Sequence, residues 1–256
     1  MQARPFIDFC ANCLAHGNCV LATLDALPPA KRAIDIVRSG PIKTYRSGEY
    51  ILHQDVPYSL APVICQGLVA IVVFTEGGEE ILLHALGPGN IVGLSDWLQR
   101  RGTCSLAAKA VTEVAISYVT AGDPMTLLKR RDATSTAFLK QLGASIQTAQ
   151  RATIGLRRKD ASARMLLAIH ELIRLLQLNQ KSPVTMPYKI PRWFFASYTE
   201  LRPETVSRML TRLRNEGLIA YRNRRLVIPD LRKLVGACTN TPVLLIKRSD
   251  EPGFSR

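Results

Sequence analysis

Three cysteines crowd into ten residues, Cys10-Ala-Asn-Cys13-Leu-Ala-His-Gly-Asn-Cys19. Thiolates are soft donors, and a close set of them on one short segment suits a soft metal or an iron–sulfur cluster. Gly17 lets such a segment fold back on an inorganic core. An iron–sulfur cluster usually takes four thiolates, so this arm needs a further ligand from the remaining cysteines, Cys65, Cys104 and Cys238. A redox-active or incidental cysteine group is the other reading of the same residues. A disulfide framework is not expected. It belongs to oxidising compartments, and the N-terminus shows no basic segment leading into an apolar stretch. The cytoplasm is the expected location.

A second set of residues could do different chemistry. The segment from Arg192 to Gly217 reads as helix, turn, helix, with Pro203 suited to a first helical position and Gly217 to a stop. At 100° per residue, Val206, Met209, Leu210 and Leu213 fall on one face of the second helix. Glu204, Ser207, Arg208 and Thr211 fall on the opposite one. The first set is candidate core. The second has the side chains a DNA-reading helix needs, because Arg donates bidentately to guanine and Glu accepts from cytosine N4. Two apolar runs follow, Leu218–Tyr221 and Leu226–Ile228, joined by Arg222-Asn-Arg-Arg225. They read as a wing hairpin with a basic tip for phosphates. Thr205, Arg212, Arg222 and Arg224 are the candidate phosphate contacts.

Charge supports the same division. The chain of 256 residues has 34 basic and 20 acidic residues, a formal charge of +14. Residues 1–150 are nearly neutral at +1, whereas residues 151–235 hold +12. A near-neutral domain joined to a basic one fits a partner that is a polyanion, here double-stranded DNA. The longest apolar run, Leu60–Phe74, is 15 residues and includes Gln66 and Gly67, short for a membrane span.

The elements that must position these residues follow from pattern. Between Ile34 and Val119 short apolar runs alternate with glycine and proline punctuation, which predicts a β-sandwich or jelly roll. Thr75-Glu76-Gly77-Gly78 reads as a hairpin turn. Asp132–Arg158 has apolar or small residues at 138, 142, 146, 149, 153 and 156, steps of mostly three and four that favour pairing with a twin helix. Ala161–Leu178 reads as a second, buried or amphipathic helix. No Ser/His/Asp grouping, paired-acid motif, phosphate-binding glycine loop or His-Glu-x-x-His is present, so an enzyme is not expected. A metal-stapled structural DNA-binding protein is a further class consistent with these residues.

Taken in order, these residues resemble the CRP/FNR superfamily of bacterial transcription regulators over roughly residues 6–235. The strongest segment is Leu201-Arg-Pro-Glu-Thr-Val-Ser-Arg-Met-Leu through Glu216-Gly-Leu-Ile219. Glu204, Ser207 and Arg208 match the FNR branch, and Cys10, Cys13 and Cys19 are similar to its cluster-binding arm. The resemblance implies an α+β fold. Its parts are a cysteine arm (1–30), a β-roll sensor of the cyclic-nucleotide-binding jelly-roll type (31–124), a long dimerisation helix (125–158) and a C-terminal winged helix-turn-helix (159–235). An extension of unassigned role follows (236–256). It further implies a homodimer, RNA polymerase as protein partner, and an inverted pair of TTGAT-type half-sites. An oxygen-labile 4Fe-4S cluster would sense oxygen, nitric oxide or redox state.

The chain also departs from that family. The fourth cluster cysteine of the FNR branch aligns with Ala115. Antiparallel pairing of the last roll strand with the strand ending near Gly67 makes Cys65 the expected substitute, ahead of Cys104 or a non-cysteine ligand. The stretch that holds cyclic AMP in relatives is matched by Gly93-Leu94-Ser95 and Gly102-Thr103, without the glutamate or the aligned arginine, so cyclic AMP is not expected as effector. Ala149 replaces an acid that FNR relatives place on the dimer helix, which implies a dimer that persists without the cluster. Glu200 stands where the turn before the recognition helix usually has a small residue. A haem, thiol or small-molecule effector is the alternative sensor chemistry, with His53, His84 and His170 available.

Overall fold

In the computed structural model the described residues are Cys19, 36–38, 42–99, 101–121, 129, 133–157, 160–178 and 181–239. Cys10 and Cys13 lie outside them. Eight short strands build two facing sheets: β1 (Ile36–Arg38), β2 (Lys43–Tyr45), β3 (Tyr50–Leu52), β4 (Leu60–Gln66), β5 (Val69–Phe74), β6 (Glu80–Leu86), β7 (Ala107–Ala110) and β8 (Val114–Ala121). One sheet runs β3-β7-β5-β6, and in the other β8 pairs with β1, β2 and β4, all antiparallel. The long strands are buried in continuous runs, as at Ala61–Ile64 and Val69–Val72, because both of their faces are covered. Ile64 and Ile116 point into the roll, with Val69, Ile71 and Val114 from the surrounding strands.

The sequence left Leu94–Leu98 among the strands, but it forms a short helix, α1. The long helix α2 (Ala133–Leu156) follows, then α3 (Ala161–Leu175), capped by Asp160, whose carboxylate accepts from the amides of Ser162 and Ala163. The remaining elements are β9 (Val184–Thr185), α4 (Arg192–Thr199), α5 (Pro203–Asn215), β10 (Ala220–Arg222), β11 (Arg225–Ile228) and α6 (Leu231–Thr239). Helix α6 crosses residue 235 and buries Cys238 in the core. Among the described residues no helix is long and apolar enough to cross a membrane.

The predicted stripe on α2 is split between two environments. Phe138 is fully buried against the roll, where it meets Trp97 edge to face, and Leu142 is half-buried. Leu139, Ile146 and Ile154 are 56%, 58% and 41% exposed. These large apolar side chains recur every seven or eight residues, the spacing of a helix seam that lacks its partner within one chain.

The roll and the C-terminal domain share one core. Leu68, Ala70, Val72, Leu82, Ala85 and Val111 of the roll join Leu172, Ile173 and Leu176 of the α3 region and Phe194 of α4 in a single apolar cluster. Gly67 donates its amide to the Tyr188 hydroxyl, and Lys109 lies 5.2 Å from the Trp193 ring centre. On α2, Thr148 accepts from Arg174, which is ion-paired with the buried Glu171 of the same helix α3. At Gly87 the approach is closest, since a Cβ there would sit 1.9 Å from the Leu175 carbonyl oxygen.

That contact generates a prediction. Gly87→Ala must push α3 off the roll, and overpacking of this kind costs about 1–3 kcal/mol. Urea denaturation is expected to show a lower midpoint for Gly87→Ala. An unchanged midpoint would mean that the two domains do not depend on this contact.

Candidate functional site

Helix α5 begins at Pro203, with Glu204 in its first turn where the helix dipole favours an anion. Val206, Leu210 and Leu213 are buried, whereas Met209 is only half-buried and sits at the edge of the core rather than within it. Glu204, Arg208, Thr211 and Arg212 are exposed, and Thr205 and Ser207 are intermediate. The helix is thus fixed by one face and presents the other.

The exposed face is locally organised. Arg208 Nη2 donates to Thr205 Oγ1 at 3.3 Å, Arg192 Nη1 donates to Ser207 Oγ at 3.3 Å, and Thr211 Oγ1 donates to the Ser207 carbonyl at 3.0 Å. Arg212 points elsewhere: its Nε donates to Glu216 Oε1 at 2.7 Å. Glu216 raises the Arg212 pKa by that bond and its charge, so this cation already has a counter-charge. Lys189, Arg192 and Arg214, which had no assigned role in the sequence reading, gather beside α5 together with Arg224. Arg214 lies seven residues from Ser207, a two-turn spacing that could have revealed it.

The wing forms as β10 and β11, with Arg222 opposite Arg225 and a two-residue turn of Asn223 and Arg224. Both turn residues have positive φ, 51° and 62°, as a tight hairpin with right-handed strand twist requires. β10 begins two residues and ends one residue later than its predicted run, and β11 begins one residue earlier and ends where predicted, at Ile228. Arg222 and Arg224 are exposed at the tip.

The turn before α5 explains the unusual Glu200. It closes α4 in the left-handed region, φ 50° and ψ 41°, with its amide donating to the Ser197 carbonyl. Arg164 Nη1 donates to the carbonyl of Thr199 at 2.9 Å, satisfying one of the acceptors left at the end of α4.

The cysteines occupy distinct environments. Cys19 is buried with Ala61, Val63, Leu94, Val119 and Phe138. Cys65 is half-buried at a bulge of β4, where the register steps from Ile64 opposite Ile116 to Gln66 opposite Ala115. Its Sγ donates to the Val63 carbonyl at 3.8 Å, and Val63 belongs to the same core cluster as Cys19. Cys104 is buried in the other cluster, within the roll, and its thiol is pushed up to about 11 by burial and then by Asp96. Among the described residues no group of three His, Cys, Asp or Glu side chains could hold a metal. Burial lowers the pKa of His84 and His170, and His53 packs 5.2 Å from the Tyr50 ring.

A cavity of about 260 Å³ lies between the roll and α2, lined by Leu86, Ile91, Gly93, Asp96, Cys104 and Ile146 among others. Among its described lining residues there is no Lys or Arg. Asp96 is 2% exposed and its carboxylate accepts from the Ser105 amide at 3.0 Å and hydroxyl at 2.8 Å. Gly93, Leu94 and Ser95 line the cavity, but Gly102 and Thr103 do not, since Thr103 bridges to Pro57 instead.

Comparison with known proteins gives concordant matches. A Crp-like helix-turn-helix domain matches residues 163–236, and a cyclic nucleotide-binding domain matches residues 42–131. The transcriptional activator protein FnrA of Stutzerimonas stutzeri is 23% identical over 240 residues, 90% of this chain and 91% of that one. The transcriptional activator protein Anr of Pseudomonas aeruginosa is 22% identical over 196 residues, 77% of this chain and 79% of that one. The structure of FixK2 from Bradyrhizobium japonicum superposes with a TM-score of 0.61 at 22% identity, covering 78% of this chain and 96% of that one.

The strained turn yields a prediction. A non-glycine residue in the left-handed region costs about 1–2 kcal/mol, and Glu200 is exposed. Glu200→Gly is therefore expected to raise the thermal midpoint without weakening DNA binding. A lower midpoint would show that the Glu200 side chain stabilises the turn.

Proposed function

Since the chain belongs to the CRP/FNR superfamily of DNA-binding transcription regulators, and not to a class of enzymes, we propose that it acts as a homodimer that reads an inverted repeat of TTGAT-type half-sites under the control of an iron–sulfur cluster. One observation carries the reading of DNA: Glu204, Ser207 and Arg208 stand on the solvent side of a helix whose other side is locked by Val206, Leu210 and Leu213. Glu204 and Arg208 contact base edges, and Arg222 and Arg224 at the wing tip meet phosphates. Thr205 supports Arg208 through their side-chain bond. The exposed Leu139, Ile146 and Ile154 supply the dimer seam, so that two recognition helices enter successive major grooves. RNA polymerase is the protein partner that this reading implies, and the cytoplasm its setting.

For the cluster, the donor set is Cys10, Cys13, Cys19 and Cys65. Cys19 shares a core cluster with Val63, whose carbonyl accepts from Cys65 Sγ, and this supports Cys65 as the fourth ligand. Cys104 is disfavoured, because it is buried inside the roll with Leu52, Val92 and Ala108, in a core cluster that does not include Cys19. A bound cluster supplies a centre that oxygen, nitric oxide or a change of redox state can alter. Cys19 packs with Phe138, so the seating of the arm bears on the inner face of α2. Thr148 and Arg174 then tie α2 to α3, which packs against α4 and α5. A cyclic nucleotide is disfavoured, because its phosphate would enter a cavity with no Lys or Arg among its described lining residues and with the buried Asp96 carboxylate. The same cavity favours, as a second reading, a small neutral effector in place of the cluster.

Two predictions test this. Arg208→Ala is expected to weaken the specific complex by about 1–3 kcal/mol and to relax preference at one base pair of each half-site, measured by fluorescence anisotropy on single-substitution duplexes. Binding identical to wild type on every duplex would remove Arg208 from the reading face. Iron and sulfide counted on anaerobic protein are expected to fall to a small fraction in Cys65→Ala and to stay at the wild-type level in Cys104→Ala. The reverse pattern would reassign the ligand, and protein without iron or visible absorption would favour the small effector.

A further inference from the structure

The sheet β3-β7-β5-β6 turns one face to the C-terminal domain, and Ala70, Val72, Leu82 and Ala85 supply that face to the shared core. A charged residue stands in the same row. Lys109 of β7 lies opposite Ala70 of β5 on one side and opposite Tyr50 of β3 on the other. Its ammonium donates to both carboxylate oxygens of Glu80 on β6, at 3.0 and 2.8 Å, and the Tyr50 hydroxyl donates to Glu80 Oε2. Three strands thus hold one cation in place. That cation lies 5.2 Å from the centre of the Tyr50 ring and 5.2 Å from the centre of the Trp193 ring. Trp193 belongs to the first turn of α4, so the cation joins the roll to the helix-turn-helix unit. The indole is the best of the aromatic faces for a cation, and the contact strengthens as water is removed. Here the Lys109 and Glu80 side chains are 21% and 26% exposed.

The direction of this contact matters more than its energy. Apolar burial is non-directional, so a core of alanine, valine and leucine lets one surface turn on the other. The Lys109–Trp193 contact and the bond from the Gly67 amide to the Tyr188 hydroxyl lie at different points of the boundary. Two separated points resist rotation about either. Trp193 is placed to pass this on. Its neighbour Arg192 donates to Ser207 Oγ of α5 at 3.3 Å. Phe194, next in sequence, is buried in the core that also holds Val206, Leu210 and Leu213. A turn of α4 on the roll is therefore a turn of α5.

We infer that Lys109, braced by Glu80 and Tyr50, is a positioning residue for DNA recognition: through Trp193 it fixes the angle of the helix-turn-helix unit on the roll, and so selects the spacing between half-sites. The inference rests on the proposed reading of an inverted repeat by a homodimer. Each base pair between the half-sites moves them apart by about 3.4 Å and turns one against the other by about 35°. A dimer whose reading units hold one angle accepts one spacing, whereas loosely seated units accept neighbouring ones. Neither Lys109 nor Trp193 needs to touch DNA for this.

The test uses the full chain, prepared without air, and fluorescence anisotropy on duplexes whose inverted repeat has the optimal spacer, one base pair fewer or one more. Lys109→Met keeps the aliphatic stem and removes the charge. It is expected to narrow the preference for the optimal spacer by about fivefold, with the base preferences within each half-site unchanged. Lys109→Arg keeps a cation over the rings and is expected to retain the wild-type preference. Trp193→Leu should narrow the preference as Lys109→Met does, and the double variant no more than either alone, as residues acting through one contact do. If Trp193→Leu fails to fold, Lys109→Met and Lys109→Arg decide the matter alone. Equal preference in Lys109→Met and wild type, a loss shared equally by every spacer, or additive losses in the double variant overturns the inference and leaves the reading of α5 intact. So does a wild type that binds the repeat with no preference among spacers. A wild type that does not distinguish the repeat from scrambled DNA sinks both.

Discussion

Helix α3 has no free face. Every residue from Ala161 to Leu176 is buried or half-buried, because the roll covers one side and α4, α5 and α6 cover the others. Apolar burial at about 25 cal/mol per Å² makes this helix the common anchor of both domains. The recognition helix is oriented only because it rests on α3 and α4, and the roll is felt at the DNA only because it rests on α3 as well. Gly87 marks how tight that seat is, since the backbone of the roll meets the Leu175 carbonyl with no room for a methyl group.

From that anchor the polar chemistry follows by exclusion. Once Val206, Leu210 and Leu213 are turned inward, helical geometry leaves Glu204, Arg208 and Thr211 outward, and Ser207 and Arg214 on the flank facing the wing. The surface has a discriminating part and a steering part side by side. The former pairs an acid with a base and suits defined base edges. The latter has Lys189, Arg192, Arg214 and Arg224 around an apolar floor, with no Asp or Glu among its described lining residues. Arg212 belongs to neither, since an i, i+4 partner four residues on takes its charge.

Much of this was legible in the sequence because it is periodic or punctuated. The runs of the roll and the hairpin of the wing are marked by their turn residues, and the face of α5 by its repeat of 3.6 residues, signals that survive without tertiary information. What escaped was tertiary. Leu94–Leu98 has too few residues to show a period. Cys238 is one apolar position in a helix that begins at Leu231 and crosses an apparent change of composition. The stripe of α2 was read as one seam, yet Phe138 turns to the roll while Ile146 remains outside. The cationic groove joins residues up to 35 positions apart, Lys189 to Arg224, and no local pattern links them. Glu200 was visible as an anomaly, and its positive φ supplies the reason.

On the proposed function, the cysteine arm sets when this surface is used. Cys19 shares a core cluster with Val63 of the roll and Phe138 of α2, so its seating bears on both the roll and the inner face of that helix. The most direct measurement is the affinity of one anaerobic preparation for the inverted repeat and for scrambled DNA, before and after air is admitted, with iron counted in each sample. The account predicts that iron and the preference for the inverted repeat are lost together. Equal preference in both samples, with no iron in either, would contradict it.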